Sequence, residues 1–447
     1  MATDCSGMCV PEIAIHMLSK HSKPSASVHN VFACDVLKAS QKWMAHLGLS
    51  TVLGDMNNRI WKVESGEMVS KAIDGKLFKG TAENAALDLY VSGFMCTPFT
   101  PNGQRQAWQD EHSKTFWSTV KTIGVLRPRV FVLENVLAIS NNANRAVVES
   151  ALSKLSGYMI VRLKVNGTQF GVPHHRPRVY VVGIRKDAAK EMYTNFQEST
   201  LESWFMNRLL SMAGKQCGDF DHSVWLRELG HPIEKVVAKE NAPDAECTCS
   251  ITTTCEAHPC RCELCKKHGA GKMKCRWRSS HKTYVKGAGV RAKRRQYLKS
   301  WRQVKKDIKL KSPPSYLEMA RSRKIGTDAI KSPSRRVILQ AMSMQANILS
   351  AKSVLNLNKS IGRVQLRTDG LVPTLGHGCG GLFFPAAAAY VTVPQLLCLT
   401  GLDPKVHAKD FSFATTVGND IEILVGNAMC LPVIGSIMAV ALHMLRP

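Results

Sequence analysis

Over its first 190 residues or so the chain alternates short apolar runs with longer amphipathic ones, so that its hydrophobic period switches repeatedly between that of a strand and that of a helix. This pattern predicts strands at 28–34, 87–93, 130–134, 158–164 and 179–184, with helices in the gaps, notably over 112–123 and 146–155. Strands with helices between them build an α/β fold around a doubly wound parallel sheet, whose ligands sit beyond the carboxyl ends of the strands. Functional residues are therefore expected just after each strand.

The pattern changes further on. From about 195 to 245 it is helical and tryptophan-bearing, after which Cys, Gly, Lys and Arg replace the apolar periodicity. A helix is expected over 337–355. The chain reads as globular again from Leu371 and ends on an apolar segment, 421–445, interrupted by Gly426-Asn427 and Pro432. No internal repeat is visible. The expected organisation is a catalytic domain over 1–195, an inserted smaller domain over 196–364, and a return to the first domain over 365–447.

Composition narrows the class. With 447 residues, 45% of them apolar, the chain can bury a full core, which argues against global disorder. No run approaches the roughly 18 to 20 apolar residues of a membrane span, and Met1-Ala-Thr-Asp-Cys-Ser-Gly7 lacks the basic and apolar regions of a signal peptide. A soluble intracellular protein with no membrane partner is expected. Its 60 Lys and Arg against 34 Asp and Glu leave +26, and residues 261–340 hold 25 of those bases with only 4 acids. Such a field favours a polyanion. Seven of the 15 cysteines crowd between Cys247 and Cys275, and in a reducing compartment an odd, clustered set reads as metal ligands or reactive thiols.

Three segments could carry chemistry. An apolar strand runs from Asp88 into the loop Gly93-Phe-Met-Cys-Thr-Pro-Phe-Thr-Pro-Asn-Gly-Gln-Arg105, which places the Cys96 thiol just past a strand end, where it can attack. An isolated cysteine is more often a buried, half-apolar filler. Val130-Phe-Val-Leu ends in Glu134-Asn135-Val136; a carboxylate at the end of a buried strand is desolvated, which suits a proton donor, although alone it would equally cap a helix. Gln169-Phe-Gly-Val-Pro-His-His-Arg-Pro-Arg178 precedes the last strand, and arginines one residue apart there point the same way, as a clamp for an anion or carbonyl or simply as a solvated strand end.

In this order the three segments resemble the C5-cytosine methyltransferase family. Cys96 matches its nucleophile, Glu134 the Glu of its Glu-Asn-Val motif, and Arg176 and Arg178 its Arg-x-Arg motif. The resemblance implies a Rossmann-like methyltransferase sheet with an inserted target-recognition domain, and S-adenosylmethionine as cofactor. Further likeness follows: Cys5-Ser6-Gly7 resembles the glycine turn of the cofactor site, Asp35 its ribose-binding acid, Gly54-Asp55-Met56 its adenine-binding segment, and Gly426-Asn427-Ala428 its closing motif. An acid after the second strand accepts hydrogen bonds from ribose hydroxyls, and a helix start behind a glycine turn favours the cofactor's carboxylate. The likeness covers about 1–190 and 365–447. Met95 and Thr97 flank the nucleophile where Pro and Gln are usual, Cys9 stands at a usual glycine, and His174 replaces a Gln.

The implied reaction is methyl transfer from S-adenosylmethionine to C5 of a cytosine flipped out of duplex DNA, through a covalent adduct at Cys96. Transfer to RNA, as in relatives acting on tRNA, and a catalytically impaired nucleic-acid-binding relative are the alternatives. Cys247, Cys249, Cys255, Cys260, Cys262, Cys265 and Cys275 are candidate ligands for structural zinc, against a reduced flexible loop. The basic tract beyond them, with Trp277, Tyr284, Tyr297 and Trp301 interleaved, suits DNA contact and would also serve as a nuclear address in a eukaryotic source; in a bacterium the protein would be cytoplasmic.

Overall fold

A computed structural model describes residues 1–22, 26–62, 64–99, 107–213, 353–356, 365–376, 379–384, 389–418 and 420–446. The chain divides into two compact units, one of 1–220, 371–380 and 392–447, the other of 221–370 and 381–391. The Cys cluster, the basic tract and the segment 100–106 after the Cys96 loop lie outside the described residues.

The first unit is built on a seven-stranded sheet. Its strands are β1 (Ala2–Asp4), β2 (Phe32–Cys34), β3 (Val52–Leu53), β7 (Leu89–Ser92), β8 (Val130–Val136), β9 (Tyr158–Asn166) and β10 (Pro177–Arg185), in the spatial order β3-β2-β1-β7-β8-β10-β9. Helices α1 (Val10–His21), α2 (Lys38–His46), α4 (Lys114–Leu126) and α5 (Asn142–Ser153) connect successive strands. Fully buried Trp43, Tyr90, Phe116, Phe131 and Tyr180 fill the layers between helices and sheet. The order reverses beside β1, between β1 and β7, and a ligand crevice is expected at such a switch point.

The expected α/β fold is present, with one correction. The sheet is not parallel throughout, because β10 inserts antiparallel between β8 and β9. Only ten residues, 167–176, separate β9 from β10. A parallel crossover needs about a dozen or more residues, so this link can only fold back as a hairpin. Gly183 makes the new pairing possible: it faces Phe131 in the register, and a Cβ there would sit 2.1 Å from the Phe131 ring.

A small antiparallel sheet, β4 (Ile60–Lys62), β5 (Glu67–Lys71) and β6 (Leu77–Gly80), precedes the short helix α3 (Ala82–Ala85) and β7. Its second turn is Asp74-Gly75, with Gly75 at φ +90° and Asp74 Oδ1 accepting the Lys76 N–H. That dipeptide between alternating residues is a hairpin signal. After the sheet, α6 (Glu191–Thr194) leads to α7 (Glu198–Met212), inside the region expected to be helical.

Among the described residues of the second unit, β11 (Val354–Asn356), β12 (Gln365–Arg367), β13 (Leu382–Phe384) and β14 (Ala389–Tyr390) form an antiparallel sheet, ordered β12-β11-β13-β14. Val354 and Leu355 are therefore strand, where a helix over 337–355 was expected; residues 337–352 lie outside the described residues. Two consecutive residues buried on both faces of a short strand carry no period to separate them from a helix. The C-terminal return closes the first unit as α8 (Val393–Cys398) and α9 (Ala408–Thr416), and the apolar segment 421–445 forms α10 (Asp420–Asn427) and α11 (Leu431–His443). Among the described residues no single helix is long and apolar enough to cross a membrane; α10 and α11 would pass only as a bent pair, and their apolar side chains are largely buried.

Candidate active site

The end of β1 runs into a turn with three left-handed residues, Cys5 (φ +50°), Gly7 (φ +54°) and Cys9 (φ +55°), before α1 begins. Cys9, at the usual glycine position, keeps the glycine-like conformation and buries its side chain completely. The Gly7 N–H donates to Asp35 Oδ2 (2.9 Å), and the Leu37 N–H to Asp35 Oδ1 (2.9 Å), so the acid after β2 is fixed against the turn. Burial pushes the Asp35 carboxyl up, and these backbone donors oppose that shift. Asp55 Oδ1 accepts the Asn57 N–H and caps a 3₁₀ turn, Met56–Asn58, whose buried Met56 sulfur lies 3.7 Å from Cys5 Sγ.

The same turn opens on a cleft lined by Asp4, Cys5, Ser6, Gly93, Asn427 and Met429, among others. Five of the seven residues proposed for the cofactor, Cys5, Ser6, Gly7, Asp35 and Met56, lie in this turn or contact it; Asp55 caps the 3₁₀ turn that carries Met56, and Asn427 reaches the cleft from the end of α10. Gly93 keeps the cleft continuous with the chemistry: a Cβ there would meet Met429 Cε at 3.0 Å and stand 3.7 Å from Glu134 Oε2. The residues fit an amino acid joined to a nucleoside, since the cleft is lined by the helix start at Val10 and Pro11 and by Asn427, and the Asp35 carboxylate is held against the same turn through the Gly7 N–H.

Cys96 follows β7 and begins a 3₁₀ turn, Thr97–Phe99, closed by the Phe99 N–H donating to the Cys96 carbonyl (3.0 Å). The preceding Met95 N–H donates to Thr115 Oγ1 (3.2 Å), and Asn135 Nδ2 donates to the Phe94 carbonyl (2.9 Å). The loop is thereby tied to α4 and to β8, which compensates in part for the missing Pro at position 95. Burial pushes the Cys96 thiol up, Glu134 adds to the rise, and Arg178 and then Arg176 oppose it. All four catalytic candidates therefore lie within electrostatic reach of one another.

The two arginines do not act as a matched pair. Arg178 Nε lies 3.0 Å from Glu134 Oε1, with both side chains about nine-tenths buried. Arg176 instead donates from Nη1 to the carbonyls of Leu375 (3.3 Å) and Gly426 (3.0 Å), while burial, and then Arg178, lower its guanidinium to about 10. The divergence follows from position: Arg178 is inside β10, whereas Arg176 precedes it and is free to turn toward the C-terminal return. His174 completes this hold. Its Nε2 accepts the Leu375 N–H (3.0 Å), its Nδ1 faces the Leu399 carbonyl (3.1 Å), and burial drives its imidazolium form well below the usual range, so the ring is neutral.

One supporting network left no mark in the sequence. Arg59, buried in the loop after the adenine-type turn, donates to both carboxylate oxygens of Asp4 and to Thr122 Oγ1 (3.1 Å), and the Tyr90 hydroxyl donates to the same carboxylate. It joins the cofactor turn to β7 and α4. A single Arg among polar residues gives no periodic or spacing signal. Among the described residues no group of three or more His, Cys, Asp or Glu could hold a metal, and the seven cysteines proposed for zinc lie outside them.

Comparison with known proteins bears on this geometry. The chain is 33% identical over 99 residues to the type II methyltransferase M.BanI of Aneurinibacillus aneurinilyticus, a match covering 22% of this chain and 23% of that one. To M.Bsp6I of Bacillus sp. (strain RFL6) it is 37% identical over 113 residues, covering 24% and 35%. The matches thus span about a quarter to a third of these relatives' length. The crystal structure of the S. pombe Dnmt2 methyltransferase aligns over 99% of this chain and 97% of its own at 12% identity, with a TM-score of 0.45. The profile of the C-5 cytosine-specific DNA methylases matches residues 57–338, more than half of the chain and a range that contains Cys96, Glu134, Arg176 and Arg178, and the chain belongs to that family.

Proposed function

We propose that the protein is an S-adenosylmethionine-dependent DNA (cytosine-5)-methyltransferase. The single observation that supports this most is the convergence of the Cys96 thiol, the Glu134 carboxylate and Arg178, with Glu134 close to Gly93, which lines the cleft at the β1 turn. A thiol, a carboxylate and a cation on one ring are what nucleophilic activation of a cytosine needs.

The residues divide the work. The Cys96 thiolate adds to C6 of the base, and Glu134 hydrogen-bonds or protonates N3, which draws charge from the ring and leaves C5 nucleophilic. Arg178 holds the Glu134 carboxylate and its charge favours the thiolate. Cys5, Ser6, Gly7, Asp35, Asp55, Met56 and Asn427 would hold S-adenosylmethionine, which supplies an electrophilic methyl group when bound. After transfer, loss of the C5 proton and elimination free Cys96. Because C6 is hidden in a duplex, the target base must leave the stack to reach the thiol.

The basic tract, 261–340, is assigned to phosphate contact and, in a eukaryotic source, to nuclear import; the Cys cluster is assigned to structural zinc. RNA is the second substrate reading. Incubation with tritiated S-adenosylmethionine and either duplex DNA or tRNA separates them. Label in DNA, and a covalent adduct at Cys96 with DNA carrying 5-fluorocytosine, are the expected results. Tight binding with label in neither would leave a non-catalytic binding protein.

A further inference from the structure

Behind the cleft lies a buried acid that the reaction does not use. Glu12, 1% exposed in the first turn of α1, accepts a hydrogen bond from Thr3 Oγ1 through Oε1, whereas its Oε2 has no hydrogen-bond partner among the described residues. Thr3 Oγ1 lies 2.6 Å from Ser6 Oγ, and Thr3 and Ser6 both line the cleft. Ser6 Oγ in turn meets both polar groups of Cys34: it is 3.1 Å from the N–H and 3.2 Å from the carbonyl. Carboxyl, hydroxyl, hydroxyl and peptide form one chain that ends under the glycine turn.

Resting on the methyltransferase reading, we infer that Glu12 is a positioning residue for the amino-acid end of the cofactor, which takes up a proton on binding and so sets the direction of the Thr3 and Ser6 hydroxyls. With Glu12 ionised, Thr3 donates to Glu12, Ser6 donates to Thr3, and Ser6 Oγ accepts the Cys34 N–H. With Glu12 protonated the chain reverses: Glu12 donates to Thr3, Thr3 to Ser6, and Ser6 to the Cys34 carbonyl. Both directions use the distances present. They differ in charge, because an ionised Glu12 puts a negative group beside the helix start that should receive the cofactor's carboxylate, and the neutral acid does not.

Burial raises the Glu12 carboxyl to about 7, against the opposing bond from Thr3, so the choice falls within the working range. The other titratable groups around α1 are accounted for. Just before β1 the Met1 ammonium is held by the His29 carbonyl, and at the end of β1 Asp4 is paired with Arg59. Asp35 faces the turn, the thiols of Cys5, Cys9 and Cys34 are pushed well up by burial, and His16 is exposed one turn further along α1. The helix packed along α1, Leu431–His443, brings only His443, whose charged neighbours are Lys190 and Arg208.

The test is calorimetric titration of the full chain with S-adenosylhomocysteine between pH 6 and 8.5, in two buffers of different ionisation enthalpy. Wild-type affinity is expected to fall about thirtyfold over that range, with net proton uptake near pH 8, because a required proton on a group of this kind weakens binding up to tenfold per pH unit above its pKa. Glu12→Gln mimics the neutral acid, and at pH 8.5 it should bind as the wild type does at pH 6, with a flat profile and no proton uptake. Thr3→Ser should keep the wild-type profile, and adenosine, which lacks the amino-acid end, should bind without it. A flat wild-type profile, or a wild-type slope in a folded Glu12→Gln, overturns the inference. No binding by the wild-type chain at any pH overturns the methyltransferase reading, and this inference falls with it.

Discussion

Glu134 and Arg178 meet diagonally across the β8–β10 ladder: Tyr180 is the register partner of Glu134, and Arg178, two residues earlier on the same face, brings Nε to 3.0 Å from Glu134 Oε1. The antiparallel insertion of β10 is what brings the pair together, since a sheet parallel throughout would not turn the start of β10 toward the carboxyl end of β8. The pair also acts on the Cys96 thiol. Glu134 raises the Cys96 thiol and Arg178 lowers it, so the arginine both anchors the acid and softens its effect on the thiolate.

Cys96 alkylation should report this balance. A thiol pushed up by burial is mainly neutral at pH 7, and its thiolate, the reactive form, grows as pH rises past the range of a free cysteine. Iodoacetamide rates followed from pH 7 to 10 should climb later than those of a free thiol. Glu134→Gln should move the climb to lower pH, because it removes the second-largest cause of the rise. An unchanged profile would mean that the two groups do not share a site.

Cys96→Ser should lower methyl transfer by at least about a thousandfold, as expected when a covalent catalyst is replaced by an alcohol of far higher pKa. S-adenosylhomocysteine affinity should stay within about twofold, because the cofactor residues lie around the β1 turn. Asp35→Ala should do the reverse to binding, weakening it about tenfold or more by removing the acceptor that the Gly7 N–H and the ribose would share. Calorimetry and a filter-based transfer assay separate the two effects.

Arg59→Met should cost about 3–5 kcal/mol of unfolding free energy, because it leaves the Asp4 carboxylate buried without its countercharge. Adding Asp4→Asn to it should recover part of that loss. Urea denaturation of both variants measures the difference, and equal stability of the single and double variants would show that the pair is not coupled.

The sequence made some of this legible and hid the rest for physical reasons. Strands such as 130–134 were readable because a buried strand is continuously apolar, and Cys96, Glu134 and Arg178 stand out as candidates because the first two follow or end such a run and the third begins one. The antiparallel β10 was hidden, because strands expected at 158–164 and 179–184 leave fourteen residues between them, enough for a crossover, and only the observed strand ends shorten the link to ten. By contrast, Arg59, Glu12 and the grip of His174 and Arg176 on Leu375 depend on residues 9 to about 200 positions apart. Contacts of that span leave no local period.

The basic tract and the Cys cluster are tested together by salt and by chelation. Deleting residues 272–311 should weaken DNA binding and flatten its dependence on salt, because each phosphate contact contributes close to one unit of slope. If four or more of the seven clustered cysteines bind zinc as thiolates, untagged protein should carry about one equivalent, and a chelator should lower DNA affinity. S-adenosylhomocysteine binding should survive the chelator, since Gly7, Asp35 and Asp55 belong to the seven-stranded sheet and its turns, which contain none of those cysteines. Elemental analysis followed by parallel cofactor and DNA titrations decides it: zinc far below one equivalent, with DNA affinity indifferent to chelation, would return the cluster to a reduced loop and leave phosphate contact to the tract alone.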